Sequence, residues 1–173
     1  MYYNSWRDDV MGFSENNPLF TNLRSTPSSS PNNTKQISRM PAILFLCTYN
    51  SVRSQIAEGV CRMLHPGWDI YSAGIARGTI SPRVLHILKE TGCDCSGMYA
   101  KHLTELPGRQ YDAIIVLCDN AWGAREQFPK TEHLIYHPVR SPEPGIGGDE
   151  LAGYRQLREE LKEWMKKALA SNT

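Results

Sequence analysis

The chain has 173 residues, the length of one domain, with 40% hydrophobic and 21% charged side chains. Nineteen basic against 18 acidic residues leave a net charge of +1, which gives no electrostatic case for nucleic-acid binding or for a membrane surface. The longest apolar runs have strand length rather than membrane-span length, Arg7, Asp8 and Asp9 precede no apolar signal core, and five cysteines fit no disulfide framework, so a reducing, cytoplasmic compartment is expected.

Residues 1–39 differ in composition from the rest of the chain. Positions 25–34, Ser-Thr-Pro-Ser-Ser-Ser-Pro-Asn-Asn-Thr, contain no apolar residue except proline and cannot offset their ordering entropy by burial. Trp6, Val10, Met11, Phe13, Leu19 and Phe20 follow neither a helical nor a strand period. A disordered extension is expected over 1–39; a docking segment built on Trp6, Phe13 and Phe20, or a start at Met40, are the alternatives. From residue 40 to 173 the pattern predicts one folded domain in which strand and helix alternate. Ala42–Cys47 is an unbroken apolar run, as in a strand buried on both faces. Residues 55–65 carry Ile56, Val60, Met63 and Leu64 as a helical stripe, ended by Pro66-Gly67. A second strand is predicted over 68–72, closed by Ala73-Gly74. Ser81 as N-cap and Pro82 at the first helical position open a second helix that runs to Thr91, with Gly92 as its stop. Strands are predicted over 113–118 and 133–137, and a long helix over 149–170. The alternation predicts an α/β fold, a parallel sheet with helices on both faces.

In open α/β sheets ligands bind beyond the carboxyl ends of the strands. The residues at that place after the first strand are Cys47-Thr48-Tyr49-Asn50-Ser51-Val52-Arg53-Ser54. A short loop from a buried strand into a helix turns successive N–H groups toward one point, an anion cradle reinforced by the helix dipole. Such a field favours a thiolate at Cys47. Arg53 offers a planar fork for two oxygens of a tetrahedral oxyanion. Ser54 can donate to the thiolate, and Asn50 tolerates the left-handed backbone that a tight loop requires. The residues six positions after the other four cysteines are Gly67, Tyr99, Lys101 and Ala124, so only Cys47 has this arrangement.

The run from Cys47 to Gly59, Cys-Thr-Tyr-Asn-Ser-Val-Arg-Ser-Gln-Ile-Ala-Glu-Gly, resembles the phosphate-binding loop and first helix of the low-molecular-weight tyrosine phosphatases and the related thioredoxin-coupled arsenate reductases. Ser72-Ala-Gly74, Ser81-Pro-Arg83, Thr91-Gly92, Lys101-His-Leu103 and Cys118-Asp-Asn-Ala121 are similar to the reductase branch. The resemblance covers roughly 41–169 and implies a four-stranded parallel sheet. It also implies the chemistry: Cys47 attacks a loop-bound arsenate, and Cys118, at the end of the third strand, then attacks Cys47 and releases arsenite. Several positions depart from the family pattern. Tyr49 stands where glycine is usual, so its ring must point outward. Val52 replaces the phosphatases' second loop cysteine. Arg125 stands at the position of the usual third cysteine, so an external thiol, thioredoxin or a low-molecular-weight thiol, must complete the cycle. The family's Asp-Pro acid is best matched by Glu143 in Pro142-Glu143-Pro144, with Asp119 and Asp149 as weaker candidates. The leading reading is an arsenate reductase-like enzyme acting on arsenate. The alternatives are a phosphatase acting through a Cys47 phosphoenzyme, and a non-catalytic module binding phosphate-type oxyanions. No bound cofactor is expected. Cys93 and Cys95, with His86 and His102 nearby, do not have a zinc spacing, and Cys61 reads as a small core residue.

Overall fold

The computed structural model describes residues 40–143 and 149–169. The expected extension over 1–39 and the last four residues of the chain lie outside the described residues.

Residues 40–169 build a four-stranded parallel sheet in the order β2-β1-β3-β4, from β1 (Ala42–Cys47), β2 (Asp69–Gly74), β3 (Tyr111–Val116) and β4 (Thr131–Tyr136). Every residue of β1 is buried, which a strand achieves only in the middle of a sheet covered on both faces. Its unbroken apolar run is the sequence form of that position. β2 pairs with one edge of β1, Ala42 opposite Asp69 through Cys47 opposite Gly74. β3 pairs with the other edge, Ile43 opposite Ala113 through Leu46 opposite Val116.

Among the described residues four helices cover the sheet: α1 (Arg53–Leu64), α2 (Pro82–Lys89), the short α3 (Asp119–Gly123) and α4 (Ala152–Ala168). α1 packs on β1 and β2, and α1, α2 and α4 pack on one another. The α1–α2 approach is close because residue 59 is glycine: a Cβ there would lie 2.7 Å from Leu88 Cδ1. α4 presents Leu157, Leu161 and Met165, a stripe of i, i+4 and i+8, to the interior. The chain leaves β1 toward one edge of the sheet and leaves β3 toward the other. Right-handed crossovers in opposite directions place α1 and α3 on opposite faces. They also make the carboxyl ends of β1 and β3 the topological switch point, where the sheet opens a crevice.

β1 has the bounds expected from the sequence, and the ends of the other elements differ from the expectation by up to three residues. β3 begins at Tyr111, two residues before the apolar run, because its ladder to β4 opens at Tyr111 opposite Thr131. β2 runs on to Gly74, since Ala73 and Gly74 continue the register with Leu46 and Cys47. Ser81 stands at the N-cap of α2 with Pro82 behind it, but its side chain makes no capping bond; its carbonyl accepts from Val84 N at 3.0 Å. Gly92, at φ +78°, ends the α2 segment in the left-handed region. α3 and two 3-10 turns, Leu103–Glu105 and Arg125–Gln127, carry no period long enough to read. Among the described residues no helix is long and apolar enough to cross a membrane.

Candidate active site

β1 ends at Cys47, and five residues, 48–52, connect it to α1 at Arg53. The turn is held from outside by its carbonyls. Cys47 O accepts from Ile75 N at 3.3 Å, Thr48 O from Ala76 N at 2.9 Å, and Ser51 O from Ser81 N at 3.0 Å. With the carbonyls committed outward, the N–H groups of residues 48–54 donate to no acceptor among the described residues. Free N–H groups gathered in one turn before a helix can cradle an anion. Gly74 makes this turn possible, since a Cβ there would lie 2.7 Å from Tyr49 C and 2.8 Å from Asn50 N.

Asn50 is the one described non-glycine residue at positive φ, +53°. It is fully buried, and its side chain makes four hydrogen bonds. The backbone N–H of Lys101 can only donate, and it points at one amide atom of Asn50 at 2.7 Å, so that atom is Oδ1. Gln55 Nε2 donates to the same oxygen at 2.9 Å and to Tyr99 O at 2.7 Å. The other amide atom is therefore Nδ2, and it donates to Ser54 Oγ and to Ser72 Oγ, both at 2.8 Å.

This orientation puts Ser54 between Asn50 and Cys47. Ser54 Oγ accepts from Asn50 and lies 2.9 Å from Cys47 Sγ; either atom of that pair can donate, and a Cys47 thiolate, which has no proton, would take the Ser54 hydroxyl proton and be stabilised by it. On the other side, Ser72 donates its proton to Glu58. Glu58 is a buried carboxylate on α1, neutralised by Arg62 and by Lys101 Nζ at 3.5 Å. The polar network thus runs from Glu58 through Ser72, Asn50 and Ser54 to Cys47. Glu58, Ser72, Gln55 and Lys101 were missed as functional residues from sequence. The only signal was a carboxylate one turn after Ser54 on a helix whose next residues are apolar.

Arg53 opens α1. It is half-buried and makes no ion pair or hydrogen bond among the described residues, so its guanidinium is uncommitted. Tyr49 is 54% exposed, its ring turned out as expected. Thr48, Ser51 and Val52 complete the loop, Val52 at the N-cap of α1. On the β3 side, Cys118 is the first residue before α3 and is buried, with its sulfur 3.4 Å from Thr48 Oγ1. All five cysteines are free.

The acid candidates differ in what holds them. Asp119 accepts a hydrogen bond from Tyr136, whose phenol is pushed up to about 12 by burial and by that carboxylate. Asp149 binds Arg155 Nη1 at 3.0 Å and Leu151 N at 3.0 Å. Glu143 is exposed, makes no side-chain bond among the described residues, and does not join the Cys47 network; its backbone lies against Gly153 of α4. Cys93 and Cys95 rest on backbone carbonyls, Sγ to Gly59 O at 3.7 Å and Sγ to Leu85 O at 3.9 Å.

Residues 42–171 match the family model of the low molecular weight phosphotyrosine protein phosphatases. An arsenate reductase 2 of Staphylococcus saprophyticus is 39% identical over 130 residues, 72% of this chain and 92% of that protein. A solved arsenate reductase in a phosphate-binding state superposes with a TM-score of 0.61 at 26% identity, covering 76% of this chain and 98% of the other. The thioredoxin-dependent arsenate reductase of Corynebacterium glutamicum superposes with a TM-score of 0.55 at 25% identity, covering 78% and 65%. The chain thus belongs to the low molecular weight phosphotyrosine protein phosphatase family, within which these three relatives are arsenate reductases.

Proposed function

We propose that the chain is an arsenate reductase working through two of its own thiols. The observation that carries this reading is Cys118, a second free, buried thiol against the loop hydroxyl of Thr48. A phosphatase needs Cys47, Arg53 and an acid, and has no use for a thiol there.

Arsenate binds to the N–H groups of residues 48–54 and to Arg53. The Cys47 thiolate attacks arsenic(V), and an oxygen leaves as water with a proton from Glu143. Of the three acid candidates, Asp119 and Asp149 are tied to Tyr136 and Arg155, whereas Glu143 makes no side-chain bond among the described residues. The Cys118 thiolate then attacks Cys47 Sγ. The S–As bond breaks with its electron pair on arsenic, which leaves as arsenite, arsenic(III), and a Cys47–Cys118 disulfide remains. An external thiol reopens it; the Corynebacterium relative, which is thioredoxin-dependent, supports that need.

The test is a single turnover of fully reduced protein with arsenate, without added thiol. About one arsenite per chain and a Cys47–Cys118 bridge by mass spectrometry are expected. Cys118→Ser should give neither, and Glu143→Gln should slow both. If wild type gives no bridge and no arsenite but hydrolyses an aryl phosphate, which Cys118→Ser also does, the phosphatase reading replaces this one. If it does neither and only binds phosphate, the protein is an oxyanion-binding module.

A further inference from the structure

Once a Cys47–Cys118 bridge has formed, the chain holds no further thiol placed to reopen it. Cys61 is fully buried on α1, and burial pushes its thiol up to about 12. Cys93 and Cys95 rest against carbonyls of α1 and α2, whereas Cys118 stands at the end of β3 against the loop. The two sulfurs that would form the bridge are recessed, Cys47 at 3% and Cys118 at 6% exposure. Thiol–disulfide exchange requires direct attack on a sulfur. A dithiol carried on a folded protein surface cannot reach sulfurs so far below the surface while the walls stay in place. A small thiol can.

The charge of the crevice selects among small thiols. After arsenite departs, the loop of residues 48–54 around Cys47 again holds N–H groups that donate to no acceptor among the described residues, with Arg53, unpaired among those residues, at its end. They attract an anion for the same reason that they attract an oxyanion. We propose that the bridge is reopened by a small thiol that carries carboxylates, bound through the oxyanion cradle itself, and not by a protein dithiol. This rests on the arsenate-reductase reading.

The first thiolate attacks Cys118 Sγ. The S–S bond breaks with its electron pair on Cys47, the better leaving group, because Ser54 donates to its thiolate. A mixed disulfide remains on Cys118. A second thiolate attacks the sulfur of the small molecule, releasing the Cys118 thiolate and one small-molecule disulfide. Two thiols are oxidised for each bridge reduced.

Glutathione is the probe, a thiol with two carboxylates; 2-mercaptoethanol is the uncharged comparison, and reduced thioredoxin the protein dithiol. The bridged protein is prepared with one equivalent of arsenate, or with stoichiometric diamide if arsenate forms no bridge, and reopening is followed by mass. Glutathione should act about tenfold faster than 2-mercaptoethanol at equal thiolate, the lower end of what electrostatic attraction supplies. Inorganic phosphate should remove that advantage and leave the 2-mercaptoethanol rate unchanged. Acid quenching should trap glutathione on Cys118. Thioredoxin acting faster than glutathione, a glutathione rate indifferent to phosphate, or an adduct on Cys47 would each overturn the proposal. A phosphate-sensitive glutathione reaction on a bridge that only diamide can make would uphold it while removing the arsenate-reductase reading. Failure to form the bridge by either route would remove both.

Discussion

Asn50 concentrates the requirements of the site in one residue. Its backbone takes a left-handed turn that costs an ordinary residue about 1 kcal/mol. Its amide has two donors and two acceptor positions, and all four are used. Asn50→Ala would leave the Lys101 N–H without its partner and would take one partner each from Ser72, which keeps Glu58, and Gln55, which keeps Tyr99 O. Each unpaired buried group costs about 1–3 kcal/mol, so a loss of about 3 kcal/mol is expected in urea denaturation. Ser54 would also lose the partner that orients its proton toward Cys47. The arsenite burst should therefore fall further than the folded fraction does. A burst that tracks the folded fraction would show that Asn50 acts on the fold alone. The cradle residues from Cys47 to Ser54 could be read in the sequence because one short segment carries them all. Glu58, Ser72 and Lys101 could not. They stand on α1, on β2 and in the segment before the first 3-10 turn, and they converge around Asn50 only after the sheet has formed.

At the scale of elements, legibility followed the number of periodic positions. β1 was readable to the residue because a central strand buries both faces and leaves no polar interruption. α4 was readable from its stripe, although its ends drew in to Ala152 and Ala168. α3, with five residues, has too few positions to show a period, yet it follows directly on Cys118. β2 was read short because Gly74 resembles a stop. Its function is different: it lets the strand pass beside the loop. Gly74→Ala would push a Cβ against backbone at Tyr49, Asn50 and Ala76, and backbone cannot swing aside as a side chain can. The loop must move, at a cost of about 1–3 kcal/mol for overpacking. The cradle should then lose phosphate affinity, read by calorimetric titration, while the far-ultraviolet circular dichroism stays unchanged. Unaltered phosphate affinity would mean that the loop does not need this close approach.

The assembly of sheet and helices depends on pH through a residue outside the site. His137 follows β4, donates its N–H to Val116 O at 2.9 Å, and stacks on Trp164 of α4 at 4.1 Å and 11°. Its buried Nε2 has no hydrogen-bond partner among the described residues. Burial lowers the imidazole from 6.5 to about 4. Between those values the folded protein binds fewer protons here than the unfolded chain, so acid favours unfolding. Stability is full above about 6.5 and is lost as the pH falls toward 4. At about 1.4 kcal/mol per pKa unit, discounted for the ring's partial exposure, the loss is about 2 kcal/mol. His65, stacked on Trp68 and also lowered by burial, acts in the same direction. Glu90 ties α2 to α4 in a separate range: its hydrogen bond from Arg155 holds the carboxyl at about 2, so its contribution persists above 4.5 and fades only below that. His137→Phe keeps a ring against Trp164 and cannot take a proton. Urea midpoints for wild type should therefore drop between pH 7 and pH 4.5 more steeply than for the variant. Parallel curves would move the acid sensitivity to His65 and remove His137 from the account.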